Sequence, residues 1–482
     1  NPADGDYPFY DLDGILPCGT SREHRRPRLF GDLTLWWVYN DRGNIHTETG
    51  GEAIGMEIRA QAFEFSTNDA LNDMTFYNYE LINRSTFNLT DTYFGQWADG
   101  DLGNAQDDFV GCDVNRGLAY YYNGDNFDDD NNGFYGYKDN PPAVGVDFFE
   151  GPFQDDDGID NAFGIGPGEA LNGIGYGDGI IDNERYGMRR FTYYSNLTNG
   201  ALPSQTDPIN APDYYNYLQG KWKDGSYFYY GGSGHGSDPA ANTSVKCDFM
   251  FPGDTDPLGW GTNGVPQPEW TEQTAGNVPN DRRFVQSAGP FILKPGAVNN
   301  ITVGVVWARA VSIDPFQSVV ALRRADDKAQ ALFENCFKVM DAPHAPEVSV
   351  QELSNEIILF LSNTPNSNNY QEGYTEVDPF IVPPSPNDDK TFRFQGYQIF
   401  QLKNNTVALS DLNNPMKARL VAQCDIEDGI SRIINFEFDE ELGFAVVSIG
   451  MSARETPDPE IILTLLDTFE TIEKPFLMHC KS

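Results

Sequence analysis

Basic residues are scarce in this chain. Its 482 residues carry 32 Lys+Arg against 72 Asp+Glu, a formal net charge of −40 and a pI near 4.2. A surface this acidic is repelled by phosphate backbones, which excludes non-specific DNA or RNA binding. Long apolar runs are missing too. The longest nearly apolar stretch, 301–311, is about half a membrane span, so no transmembrane segment is expected. Histidine is limited to His24, His46, His235, His344 and His479, and no HExxH zinc-peptidase signature occurs. There is no GxSxG elbow: the turn 231–236 (GGSGHG) sets Ser233 near His235 but out of that pattern, so His235 reads as a turn residue. The run 173–179 (GIGYGDG) lacks the strand, helix and Lys-Ser/Thr of a phosphate loop. The six cysteines, Cys18, Cys112, Cys247, Cys336, Cys424 and Cys480, form no CxxC pair, which excludes the usual zinc and redox motifs. Their even number leaves both disulfides and buried free thiols open.

Helical periodicity is nearly absent; 318–339 is the one good helix candidate. Aromatic residues, at 13%, argue for a folded chain despite the charge. Between Gly/Asn/Asp turn clusters lie strand-like segments at 32–39, 55–65, 74–82, 90–97, 118–122, 144–149, 188–194, 226–230, 245–251, 284–287 and 301–308. Many short strands with such turns predict an all-β protein, with a large antiparallel β-sandwich carrying long acidic loops over 31–341. Residues 1–30 read as an extended lead-in. The prolines in 341–348 (DAPHAPEV) mark a linker. Beyond it, 342–482 offers about six strands (356–361, 392–401, 419–424, 433–438, 444–448, 461–466), a count that suits a fibronectin III or immunoglobulin-like sandwich. The insert 365–390 reads as a long loop. Sequons at Asn83, Asn88 and Asn300 would matter only in a eukaryotic secretory route. The chain opens on Asn-Pro, without Met or a leader pattern; either a leader is removed or the numbering starts inside a longer product.

The charge is uneven. Residues 99–184 hold 20 acidic residues and 2 basic ones, a net of −18 in under a fifth of the length. Packed carboxylates raise one another's pKa unless a cation is present. Calcium takes six to eight hard oxygens, and Asp and Asn alternating with Gly in tight turns supply several from one loop. The candidate ligands are Asp99, Asp101, Asp125, Asp128, Asp130, Asp155, Asp157, Asp160, Asp178 and Asp182. An EF-hand is not matched, because Ile159 stands where the fifth loop position needs Asp or Asn and no Glu follows at the twelfth. The loops are closer to the DxDGxxD style of extracellular calcium loops, with the ion as a structural staple.

Several strings carry a family resemblance: 33–51 (LTLWWVYNDRGNIHTETGG), 55–63 (GMEIRAQAF), 74–83 (MTFYNYELIN) and 92–101 (TYFGQWADGD). It continues through 111–113 (GCD), 146–152 (VDFFEGP), 177–190, 251–254 (FPGD), 287–290 (SAGP) and 303–308 (VGVVWA), and more loosely at 394–400 (FQGYQIF). The chain resembles large exported Bacteroidetes proteins that carry a C-terminal sorting domain for type IX secretion. The resemblance implies export by that machinery and an extracellular or outer-surface location. It hands over no catalytic residue, and the sorting domain itself is not visible at 482.

The residues lean toward a non-enzymatic role: a calcium-stabilised adhesion or structural protein, self-associating or meeting other surface proteins. The alternative is a protein that binds or degrades polysaccharide. Its candidate sugar platforms are Trp36, Trp37, Trp97, Tyr120, Tyr121, Tyr122, Trp222, Trp260 and Trp270, although most of these read as sandwich core or loop packing; the acids are too many for sequence to choose a pair. Arg189-Arg190 and Arg282-Arg283 are expected to pair with acids.

Overall fold

The structure, a computed structural model, describes residues 30–337 except 68–69, 132, 197–200 and 335. It also describes 343–481 except 355–356, 378–390, 405–406, 408–411, 413, 427–431, 440–443 and 452–475. The expected lead-in (all but its last residue) and the expected strand at 461–466 lie outside the described residues. The chain divides into two compact units, 1–337 and 338–482.

The first unit opens with β1 (Leu33–Asn40), β2 (Met56–Glu64), β3 (Met74–Asn83) and β4 (Leu89–Asp99). The acidic segment then adds β5 (Asp108–Asp113), β6 (Leu118–Asn123), β7 (Phe127–Asp128), β8 (Lys138–Asp139), β9 (Ala143–Glu150), β10 (Gly173–Ile174) and β11 (Arg185–Tyr186). There follow β12 (Arg190–Ser195), α1 (Ala211–Leu218), β13 (Tyr229–Tyr230), β14 (Asn242–Lys246), α2 (Glu272–Ala275), β15 (Arg282–Leu293), β16 (Val298–Ala308) and α3 (Phe316–Glu334). Seven strands form one antiparallel sheet in the order β1-β2-β3-β16-β9-β6-β5.

Alternation along the strands gives this sheet two apolar faces. On one, Phe63, Phe76 and Phe149 meet Phe333 and Phe337 at the end of α3, with Phe63 and Phe76 stacked at 5.5 Å. The helix presents Val319, Leu322, Ala325, Ala329 and Leu332 at spacings of three and four, the stripe that a sheet-facing helix needs. It ends five residues before the expected 339. Cys336 and Phe337 take positive φ, and the Phe337 amide donates to the Leu332 carbonyl at 2.9 Å, so the chain folds back and returns Phe337 to the core. On the other face lies a three-stranded antiparallel sheet, β12-β15-β4. Its Phe94 packs on Tyr79 and Phe148 at 5.8 and 5.9 Å, and its Phe284 stacks on Tyr121 at 4.8 Å. In turn, α1 covers the small sheet, stacking Tyr217 on Tyr194 at 4.9 Å.

Two local expectations change. The apolar run 245–251 is not one strand: β14 stops at Lys246, and Phe249, Met250 and Phe251 are all buried in irregular chain, with φ of 50° at Phe251. Consecutive burial cannot be met by a strand whose faces differ. The sequons at Asn83 and Asn300 are buried, and Asn83 donates to the Phe87 and Leu293 carbonyls. Among the cysteines, Cys112 and Cys247 are buried free thiols, Cys424 is free, and Cys336 is disulfide-bonded.

The second unit is built from β17 (Glu347–Glu352), β18 (Ile357–Ser362), β19 (Thr375–Val377), β20 (Thr391–Arg393), β21 (Gly396–Leu402), β22 (Ala418–Asp425), β23 (Arg432–Asp439), β24 (Phe444–Met451) and β25 (Phe476–Lys481). Its pairs are β17/β18, β19/β20 and β23/β24, with a three-stranded sheet β22-β21-β25, all antiparallel. Regular structure among the described residues is thus mostly strand in antiparallel sheets, with few helices. No helix among them is long and apolar enough to cross a membrane.

Candidate acidic loop centre

The acidic segment supplies three strands of the large sheet, and its loops leave from their ends. The last loop contains two matching turns. Asp157-Gly-Ile-Asp160-Asn161 and Asp178-Gly-Ile-Ile-Asp182-Asn183 each begin with an aspartate whose Oδ1 accepts the amide two residues on, from Ile159 at 2.9 Å and Ile180 at 2.8 Å. Each closes with an Asn Nδ2 donating back to that aspartate, at 3.3 and 2.8 Å. The second aspartate of each turn reaches across to the other. Asp182 Oδ1 accepts from the Asp157 and Gly158 amides, both at 2.8 Å. Asp160 accepts from the Gly177 and Gly179 amides at 2.9 and 2.7 Å. Gly158 and Gly179, at φ of 80° and 89°, give the left-handed backbone that these turns need. Asp155 reaches a different element, accepting from the Ile292 amide at 2.8 Å. Five candidate ligands (Asp155, Asp157, Asp160, Asp178, Asp182) therefore cap backbone amides.

Nearer β5 the acids are more buried. Asp128 is fully buried and accepts the Asn104 and Tyr137 amides at 3.0 and 2.7 Å. Gly103 sits so close that a β-carbon there would strike the Asp128 carboxylate. Asp125 is exposed and caps the Phe127 amide. Asp130 is exposed as well, paired with Lys138, whose hydrogen bond lowers the carboxyl's pKa. Asp107 and Asp108 were not among the candidate ligands. Burial, then the Asp128 charge, raises Asp107 to about 6; burial pushes Asp108 well above the carboxylate range.

Asp99 and Asp101 meet Asp281, with carboxylate oxygens within 4.8 Å of one another. Arg283 partly neutralises this group. Its Nη1 lies 2.8 Å from Asp281, and its Nε lies 3.2 Å from Asp99 and 3.6 Å from Asp207. Burial still raises Asp99 and Asp281 above their ordinary values. Beside them Trp97 is 58% exposed, its Nε1 donating to Tyr194 Oη at 2.6 Å. Of the other candidate platforms, Trp37 is exposed and Trp36 partly so, whereas Tyr120, Tyr121, Tyr122, Trp222, Trp260 and Trp270 are buried in the core. The expected arginine pairs hold for Arg190 with Asp248, Arg282 with Glu272 and Arg283 with Asp99. Arg189 instead stacks over Trp260 at 4.2 Å. His235 bridges Ser204 and Ser237 at 3.1 and 2.7 Å, tying its turn to the 203–205 segment beside a cleft of about 500 Å³.

A second buried acid pair joins sheet to helix. Asp147 on β9 and Asp326 on α3 are 1% and 2% exposed, and each has an Oδ1 without a hydrogen-bond partner. Burial and then the Asp147 charge raise Asp326; burial and then the Asp113 charge raise Asp147. Asp327 adds repulsion and Arg116 opposes it. A raised folded pKa means that the native state holds protons which the unfolded chain has released. Stability from this pair therefore falls as pH rises from the ordinary carboxylate range through the raised values. Asp326→Asn is expected to raise stability at pH 8 and to flatten the loss as pH rises from the ordinary carboxylate range. Melting curves across that range check it; parallel wild-type and variant curves would contradict it.

No protein-family profile matches the chain, and no curated protein matches it.

Proposed function

We propose that the chain is a calcium-stabilised structural or adhesion protein, exported by the type IX machinery to the outer surface of a bacterial cell or beyond. In this reading it is a tandem of β-sandwich modules, the second of fibronectin III type, that self-associates or docks on other surface proteins. The observation that carries it is the reciprocal clasp of Asp160 and Asp182. It spends acid on holding long loops together, which is an architectural use. Two sheets packed face to face in the first unit, and the antiparallel pairs among the described residues of the second, support the sandwich reading. Light scattering on the full chain tests the self-association. Assemblies larger than one chain in millimolar calcium, lost in EGTA, are expected; a monomer in both would contradict it.

One observation favours glycan binding as the second reading. Exposed Trp97 lies beside Asp99, Asp207 and Arg283, with Tyr214 also exposed. Aromatic faces stack on sugar rings while acids take their hydroxyls. On a glycan array this reading expects retention that Trp97→Ala abolishes; silence of the wild type removes it.

A further inference from the structure

We propose a calcium site at the open end of the β5–β6 pair, with Asp107 Oδ1, Asp108 Oδ1, Asn123 Oδ1 and Asn126 Oδ1 as its protein ligands. It rests on the calcium reading above and gives that reading an address. Asp107, Asp108, Asn123 and Asn126 were not candidate ligands; their buried, unpartnered oxygens single them out.

The strand register places them. Asp108 opens β5 and Asn123 closes β6, and the two are directly paired, so their side chains leave one face of the sheet as cross-strand neighbours. The chain beyond Asn123 then wraps against the chain before Asp108. The Gly124 amide donates to the Asp107 carbonyl at 2.6 Å, and Asn123 Nδ2 donates to the Asp125 carbonyl at 2.9 Å. Asn126 is held by the Asn140 amide on its own carbonyl, at 3.3 Å.

Each acid has one oxygen that accepts a hydrogen bond and one without a donor at hydrogen-bond distance, although the Asp129 amide stands next to the Asp107 carboxyl. Asp108 Oδ2 accepts the Leu102 amide at 3.1 Å, and Asp107 Oδ2 accepts Asn104 Nδ2 at 3.0 Å. Their Oδ1 atoms, with those of Asn123 and Asn126, are buried and have no hydrogen-bond partner. Asp108 is 1% exposed and Asn123 is 0% exposed, so water does not serve them as it serves a surface acid. Buried polar atoms are normally satisfied, and four unsatisfied acceptors on residues joined by these backbone bonds are a donor set that a cation would fill. The surrounding cations are engaged elsewhere: Arg282 with Glu272, Arg283 with Asp99 and Asp281, Lys138 with Asp130.

The donor set names the ion. All four atoms are hard oxygens, two from carboxylates and two from amides, with neither nitrogen nor sulfur, which favours calcium or magnesium over zinc or copper. Calcium takes irregular loop geometry and completes six to eight ligands with carbonyls and water. Magnesium demands a near-ideal octahedron and keeps its own waters.

The rival is a neutral Asp108 whose proton bonds Asn123 Oδ1 with no metal. Asp108→Asn separates the two. The substitution keeps the shape, and its amide oxygen can still accept from Leu102. Metal-stripped full-length protein, wild type and variant, is titrated with calcium by calorimetry and melted in EGTA and in 1 mM calcium. The proposal expects the variant to melt higher than wild type in EGTA, because a buried charge is gone. It expects the variant to lose one calcium equivalent, or at least tenfold in affinity for it, and to gain less from calcium. Full calcium stoichiometry and affinity in Asp108→Asn, with wild type binding, overturns this site and leaves the wider calcium reading standing. Wild type that binds no calcium overturns both. Should Asp108→Asn fail to fold, Asp107→Asn, at a half-buried position, is read by the same calcium titration.

Discussion

Arg282→Met is expected to cost about 3–5 kcal/mol, the range for breaking a buried ion pair from one side. Arg282 and Glu272 have side chains 8% and 0% exposed. They meet as a fork, Nε to Oε1 at 3.2 Å and Nη2 to Oε2 at 2.8 Å. The arginine also donates to Ser195 Oγ and the Val278 carbonyl, while Glu272 accepts the Val110 amide at 3.0 Å. One pair thus ties β5, β12, α2 and β15 together. Without the guanidinium, Glu272 is a buried charge with no counter-ion. Arg282→Met combined with Glu272→Leu is expected to recover much of the loss, because the cost lies in the orphaned carboxylate. Urea titration followed by tryptophan fluorescence reads the effect. All seven tryptophans fall before residue 338, so the signal reports the first unit alone. A loss below about 1 kcal/mol would show the pair to be peripheral.

Calcium at 1 mM is expected to raise the melting temperature of metal-stripped protein by about 3–5 °C per site. A ligand that binds only the native state stabilises it by about 2.7 kcal/mol at a hundred times its dissociation constant. For the first unit, residues 1–337, each kcal/mol moves the midpoint by about 1–2 °C. The local charge argues in the same direction, since residues 99–184 carry a net of −18. Sodium chloride at matched ionic strength is expected to give a smaller shift, because screening acts weakly on buried carboxylates such as Asp108. Equal shifts from calcium and sodium would reduce the effect to screening.

How much of this was legible beforehand varies with the physics of each element. Strand β3 was plain, because Met74, Phe76 and Ile82 alternate with Tyr77, Tyr79 and Leu81. The β5 strand was not: all six residues of Asp108–Asp113 are buried, and an acid at each end with a central glycine hides the pattern. Tyr120, Tyr121 and Tyr122, beside acids, read either as a sugar platform or as sandwich core. They are core because β6 is covered on both faces, by Phe316 of α3 and by Phe284 of β15. The clasp could have been found from the duplicated Asp-Gly-Ile turns, although their crossed pairing could not. The Asp107–Asn126 oxygens depend on a register between two strands, which no spacing along one loop encodes. Asp99 and Asp101 meet Asp281 only because β4 and β15 are neighbours.

The most direct test of the central claim is native mass spectrometry of the full chain exchanged from calcium-containing buffer into ammonium acetate. The account predicts at least one retained calcium, removed by EGTA and lost or weakened in Asp108→Asn. A metal-free mass before chelation, in protein that melts identically with and without calcium, would contradict it.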